Sequence, residues 1–256
     1  MPSCGVDVAG LSREGGHTHG PQRGLRPITS TAVLINASLE RIEAWQTERE
    51  RTRPERERDR PERARSRPTT LTALTGGLRE LLPRLEPLTG PITMRRLWVQ
   101  TRNPEWSMYF AGSTRGTEYH AQGALHGYCH HLQVHGLQIS SSPHTLRRDG
   151  TGRPGNMVFE IHDPAGDGTR VIAAQVGDGD RWVFTNIGRV RPFERTEAYG
   201  ARRIRDRLSG EMIADYCAAL GLFPFEEDFY GPRGLLLEQA PESYLPHCDP
   251  RGLVQK

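Results

Sequence analysis

The chain is short of lysine, cysteine and long apolar runs, and each shortage excludes something. A single lysine, Lys256, stands against 33 arginines. Selection for phosphate binding would draw on both cations, so a codon bias toward Arg, Gly, Pro and Ala explains the skew more economically. Cys4, Cys129, Cys217 and Cys248 lie far apart without C-x-x-C pairing, which excludes a disulfide framework and a zinc ribbon. No run approaches about 18 apolar residues, and the first residues carry neither a basic nor an apolar signal segment. The expectation is a cytoplasmic protein with no membrane partner. The phosphate-binding pattern GxxxxGK[ST] does not occur, and the Gly-Asp repeats at 166–169 and 177–180 lack the acids of a calcium loop. GSTRG at 112–116 lacks G-x-S-x-G spacing, and SSSPH at 140–144 brings serine and histidine together only in sequence. No cofactor is implied, with zinc as the alternative weighed below.

What is present is unevenly spread. With 256 residues, 35% of them hydrophobic, the chain can build one large domain or two small ones. Of eighteen aromatic residues, only Trp45 precedes residue 94. Residues 1–93 hold 15 arginines against 12 acids, whereas 94–256 are balanced, so the net charge of +3 arises in the first part. There, residues 48–67 (ERERTRPERERDRPERARSR) alternate acid and arginine around Pro54 and Pro61 and have little to bury. Two weak amphipathic stretches flank them: Leu39, Ile42 and Trp45, and the leucines from Leu71 to Leu85, broken by Gly76-Gly77 and Pro83. The sequence therefore predicts a largely disordered Arg/Glu/Pro-rich extension with weak helices over 1–93, a globular domain over 94–247 and a tail over 248–256. Met94 sits at the change, which predicts that the segment before it is dispensable.

Beyond Met94, alternation predicts strands at 94–100 and 106–112 joined through Asn103-Pro104. Thr117 offers a helix start and Gly136 a stop, with Ala121, Leu125, Tyr128 and Leu132 on one face. Strands follow at 137–140, 157–162, 170–176 and 181–185, separated by Gly/Asp turns too short for parallel crossovers. Helices are expected over 196–208 and, capped by Ser209, to Leu220, with a last strand at 234–238. The sum is α+β: an antiparallel meander sheet with packed helices.

The strongest chemical signal is histidine. His120, His126, His130, His131, His135 and His144 cluster beside Cys129. On a helix, His126 and His130 share one face, while His120, His131 and His135 border the apolar face. His126 and His130 supply two metal ligands, the basis of an alternative reading as a metal-assisted zinc hydrolase, although HGYCH lacks the glutamate of H-E-x-x-H. Cys129 and Cys217 read as structural thiols on helices. Seven arginines between 189 and 207 suggest nucleic-acid binding, which is disfavoured because the helix that would enter the groove carries Glu211 and Asp215 and no base. The preferred expectation is a non-catalytic module binding an unidentified protein partner through Trp182, Arg189, Arg191, Phe193, Arg202 and Arg203. Arginine and aromatic side chains are enriched at interface centres.

WSMYFAG at 106–112, RWVFTNIGRVRPFE at 181–194, YGARRIRDRLSGEMIADYCAALGL at 199–222 and DFYGP at 228–232 together resemble uncharacterised small proteins of high-GC actinobacteria. The resemblance spans residues 106–232. It implies an α+β fold and no catalytic residue.

Overall fold

TAVLI, an apolar run between polar residues, forms β1 (Thr31–Ile35), and all five of its residues are buried. A strand without alternation is one covered on both faces. The computed structural model describes residues 30–239 apart from 57, 60–67, 91–93, 115, 148 and 178–179. After β1 come α1 (Leu39–Arg51), α2 (Arg53–Arg56), β2 (Thr69–Thr75), α3 (Leu78–Leu81), β3 (Arg95–Thr101) and β4 (Ser107–Ala111). They are followed by α4 (Glu118–Leu132), β5 (Gly136–Ser142), β6 (Asn156–His162), β7 (Arg170–Val176), β8 (Trp182–Ile187), α5 (Gly210–Ala219) and β9 (Tyr230–Gln239). The strands form one antiparallel sheet in the order β2-β9-β3-β4-β1-β5-β6-β7-β8.

The α+β class and antiparallel sheet are as the sequence predicts, and β5 to β8 form a meander. β1 and β9 depart from it. β1 lies between β4 and β5, with Val33 opposite both Tyr109 and Gln138, and β9 lies between β2 and β3.

The fold does not divide at Met94, which corrects the expected boundary. β1 is the central strand, and Leu39, Ile42, Leu78, Leu81, Leu82 and Leu85 are buried with side chains from the later part of the chain. Averaged composition hid these short elements. Ser38 starts α1 by accepting from the Arg41 N–H, and Pro54 sits in the first turn of α2, where a missing N–H is tolerated. Residues 1–29, 57, 60–67 and 91–93 of the expected extension, 240–247 of the expected domain and the whole expected tail, 248–256, lie outside the described residues.

Helices cover both faces of the sheet. Strand alternation sends Val33, Ile35, Trp98, Tyr109, Leu235 and Leu237 beneath α1 and α4. It sends Leu34, Leu97, Phe110, Phe159 and Leu236 toward α3, the 3-10 turn Leu82–Leu85 and α5. Where α4 meets the sheet, a Cβ on Gly136 would stand 2.4 Å from Cys129 Sγ and 2.6 Å from Leu125 Cδ1, so only glycine allows the approach. The helix expected over 196–208 is instead two 3-10 turns, Thr196–Gly200 and Ile204–Asp206. Side-chain bonds fix this bend: the Tyr199 hydroxyl donates to Glu194, and Arg207 Nε donates to the Ala201 carbonyl. α5 begins as expected, with Ser209 Oγ accepting from the Met212 N–H.

Candidate functional site: a cationic pocket between two helices

α1 lies over β2, β9 and β3, while α4 lies over β1, β5 and β6. The gap between the helices is a pocket of about 310 Å³. Its base carries Arg96 from β3 and Tyr109 from β4. On β3, alternation places Arg96 on the same face as the buried Trp98, two residues on. One wall is α1, through Trp45 and Arg49; the other is α4, through His120, Gly123, Gly127, Tyr128 and His131. Gly123 and Gly127 are one helical turn apart, and a Cβ at either would meet no atom within 4 Å beyond its chain neighbours and the backbone of α4 itself.

Positive charge and hydroxyl donors dominate this pocket. Among the described residues no carboxylate forms an ion pair with Arg96. Burial pushes the Tyr109 and Tyr128 hydroxyls above the usual phenol range, so both remain protonated donors at neutral pH. Burial, with the Arg96 charge second, lowers the His120 pKa and favours its neutral ring. Aromatic packing frames the pocket. Trp45 meets Tyr128 edge-on at 5.4 Å and stacks on His131 at 5.6 Å, and Arg49 lies 5.5 Å from the centre of its ring. Trp98 meets Tyr128 edge-on at 5.4 Å, and its buried Nε1 has no acceptor among the described residues.

A second cluster occupies the opposite flank of α4. His126 Nε2 lies 3.3 Å from Glu160 Oε1, and the His126 and His162 rings stack with centroids 4.4 Å apart. The residue pair expected to hold metal is thus rearranged. His126 is joined by Glu160 and His162 from β6, with one ligand atom from each within 4.8 Å of the others. His130 is not part of that group; its ring lies against His131. Burial first, then the nearby His126, lowers the His162 pKa.

The six residues expected to form a protein-binding surface separate into two groups. Trp182 packs half-buried beside His144 and against a Cβ-less Gly155, and Phe193 is half-buried against Phe159 and Tyr216. Arg191 Nη2 donates to the Gly168 carbonyl at 2.5 Å. These three serve the fold, whereas Arg189, Arg202 and Arg203 are exposed.

The surrounding RWVFTNIGRVRPFE segment largely encloses Arg170, whose side chain is fully buried. Arg170 donates two bonds to the Glu194 carboxylate at 2.8 and 2.6 Å and others to Asn186 Oδ1 and the Ile187 carbonyl. Sequence reasoning missed this network because Arg170 lies on β7, outside the arginine-rich stretch.

Cys129 and Cys217 are buried free thiols. Burial pushes Cys129 up to about 12 and Cys217 higher still, which disfavours the nucleophilic thiolate. Among the described residues no helix is long and apolar enough to cross a membrane. No family model, curated protein or solved structure matches the chain.

Proposed function

We propose that the protein is a binding domain for a small organic anion, a carboxylate or phosphate ester carrying a flat ring, held between α1 and α4. The observation that carries this reading is the bare, cationic wall: Gly123 and Gly127 border the pocket where Arg96 has no ion-pair partner among the described residues. Glycine in a helix interior costs about 1 kcal/mol relative to alanine. Helix packing gives no reason for either glycine, since beyond its chain neighbours and the backbone of its own helix no atom lies within 4 Å of either added Cβ. Their absent side chains leave room for a ligand. Arg96 offers charge-assisted donors to an anionic group, the Tyr109 and Tyr128 hydroxyls further donors, and Trp45 a flat apolar wall. The pocket volume suits a molecule of one or two rings.

The test is ligand-observed NMR with aromatic carboxylates and phosphate monoesters on the full chain. Binding is expected in the parent and lost in Gly127→Leu, whose side chain fills the space. Equal binding by that variant rejects the reading. A cytoplasmic location belongs to the same proposal, supported by the free thiols Cys129 and Cys217.

A second reading, protein binding, draws on the edge strand β8. Ile187 is 59% exposed and Val183 47%, and exposed Val190 follows Arg189 just beyond the strand. Exposed apolar side chains on an unpaired edge favour association. Cross-linking in a native-host lysate should recover a partner with the parent and not with Ile187→Glu; recovery with both excludes this surface.

A further inference from the structure

The flank of α4 facing away from the pocket holds a different chemistry. On β6, Glu160 and His162 are two residues apart and project to the same face of the sheet. α4 lays His126 over them. Zinc binds imidazole nitrogen and carboxylate oxygen at about 2.0–2.2 Å, which puts ligand atoms roughly 3.4 Å apart in a tetrahedral site. His126 Nε2 and Glu160 Oε1 already stand 3.3 Å apart, and the three ligand atoms lie within 4.8 Å of one another. His126 is half-exposed, so its ring can adjust to close the remaining distance.

Glu160 provides an independent indication. Its side chain is only 6% exposed, and among the described residues no arginine pairs with it. A buried carboxylate without a permanent cation is costly. Its second oxygen accepts from Gln122 Nε2 at 2.6 Å, so the free edge of the carboxylate faces His126 in a fixed orientation. Outer-shell hydrogen bonds of this kind orient metal-binding carboxylates.

We propose that His126, Glu160 and His162 form a three-ligand site for a divalent transition-metal ion, zinc in the first place, with a fourth position open to water or an exogenous anion. Two imidazoles and one carboxylate favour zinc, cobalt or nickel over magnesium or calcium, which take all-oxygen shells. The site is separate from the pocket and stands whether or not a ligand binds there.

The test uses full-length protein stripped of metal, titrated calorimetrically with zinc chloride and with magnesium chloride, and loaded with cobalt(II) for its visible spectrum. One equivalent of zinc should bind, magnesium should not, and cobalt should give the d–d bands of a four-coordinate site. Glu160→Gln and His162→Ala should each weaken zinc binding by at least about tenfold, while His130→Ala leaves it unchanged. Thermal unfolding verifies that each variant is folded, and the near-isosteric Glu160→Gln guards against misfolding of His162→Ala. Absence of stoichiometric zinc, parent-like affinity in folded Glu160→Gln, or loss of binding in His130→Ala overturns the proposal.

Discussion

The sheet has two four-strand halves, β2-β9-β3-β4 and β5-β6-β7-β8, which meet at β1 and are assembled in opposite ways. In the first half, distant segments pair: Thr69 opposes Gln239, and Arg95 bonds to Glu238 143 residues away. In the second, every strand pairs with its neighbour in the chain. In the first, β9, β3 and β4 are packed on both faces, whereas the outer strand of the second leaves Val183 and Ile187 exposed. Long-range pairing pays its loop-closure entropy before contacts reward it. The pocket depends on both halves: Arg96 and Tyr109 come from the first, and α4 rests on β1, β5 and β6. It forms only when the two dock across β1.

The largest test of this contrast is removal of residues 1–93. A chain starting at Met94 lacks β1, α1, β2 and α3, leaving β4 and β5 without their shared partner. It should be insoluble or molten, with dye-accessible apolar surface and no cooperative unfolding; a cooperative, soluble product would mean the halves fold without their junction. Next in size is Arg170→Ala, which leaves Glu194 buried and unpaired inside the second half. About 3–5 kcal/mol should be lost in urea titration. Replacing both partners, with Arg170→Met and Glu194→Leu, should cost less than the single change. If the pair is equally costly to replace, its individual hydrogen bonds, not the stranded charge, govern this region.

Gly127→Ala tests the boundary between the halves and should stabilise the chain by about 1 kcal/mol, because the added methyl meets nothing. A lower melting temperature would show that α4 needs its glycine for packing. The smallest effect is pH-dependent. Since His120 has a lowered pKa in the folded chain, the unfolded chain binds its proton first, and stability falls as pH drops through about 6.5. Melting temperatures of His120→Gln across this range should fall less steeply than those of the parent; identical slopes would remove His120 from the account.

The contrast between halves also explains what was legible. The strand expected at 170–176 has the bounds of β7, the Asn103-Pro104 bend joins β3 to β4, and Ser209 caps α5, because period-two alternation, turns and caps are local signals. β1 was hidden because burial on both faces removes alternation. β2 was hidden because Leu71 and Leu74 blended into the leucines of α3, although Gly76 marks a turn at φ 142° between them. The pocket joins β3, β4, α1 and α4, so spacing in no single element announces Arg96 or Gly127. At the proposed metal site, H-x-x-x-H on α4 drew attention to His130, while the residues brought to His126 come from E-x-H on a strand. Its neighbours in space come from a different element, 34 residues from His126 to Glu160.

Saturation-transfer NMR on Arg96→Ala beside the parent examines the proposed anion site most directly, using benzoate and phenyl phosphate as probes at neutral pH. Signal from at least one probe in the parent, mutual competition between bound probes, and loss of that signal in folded Arg96→Ala are the predicted outcome. Silence from both probes at millimolar concentration, or undiminished transfer in the variant, contradicts it.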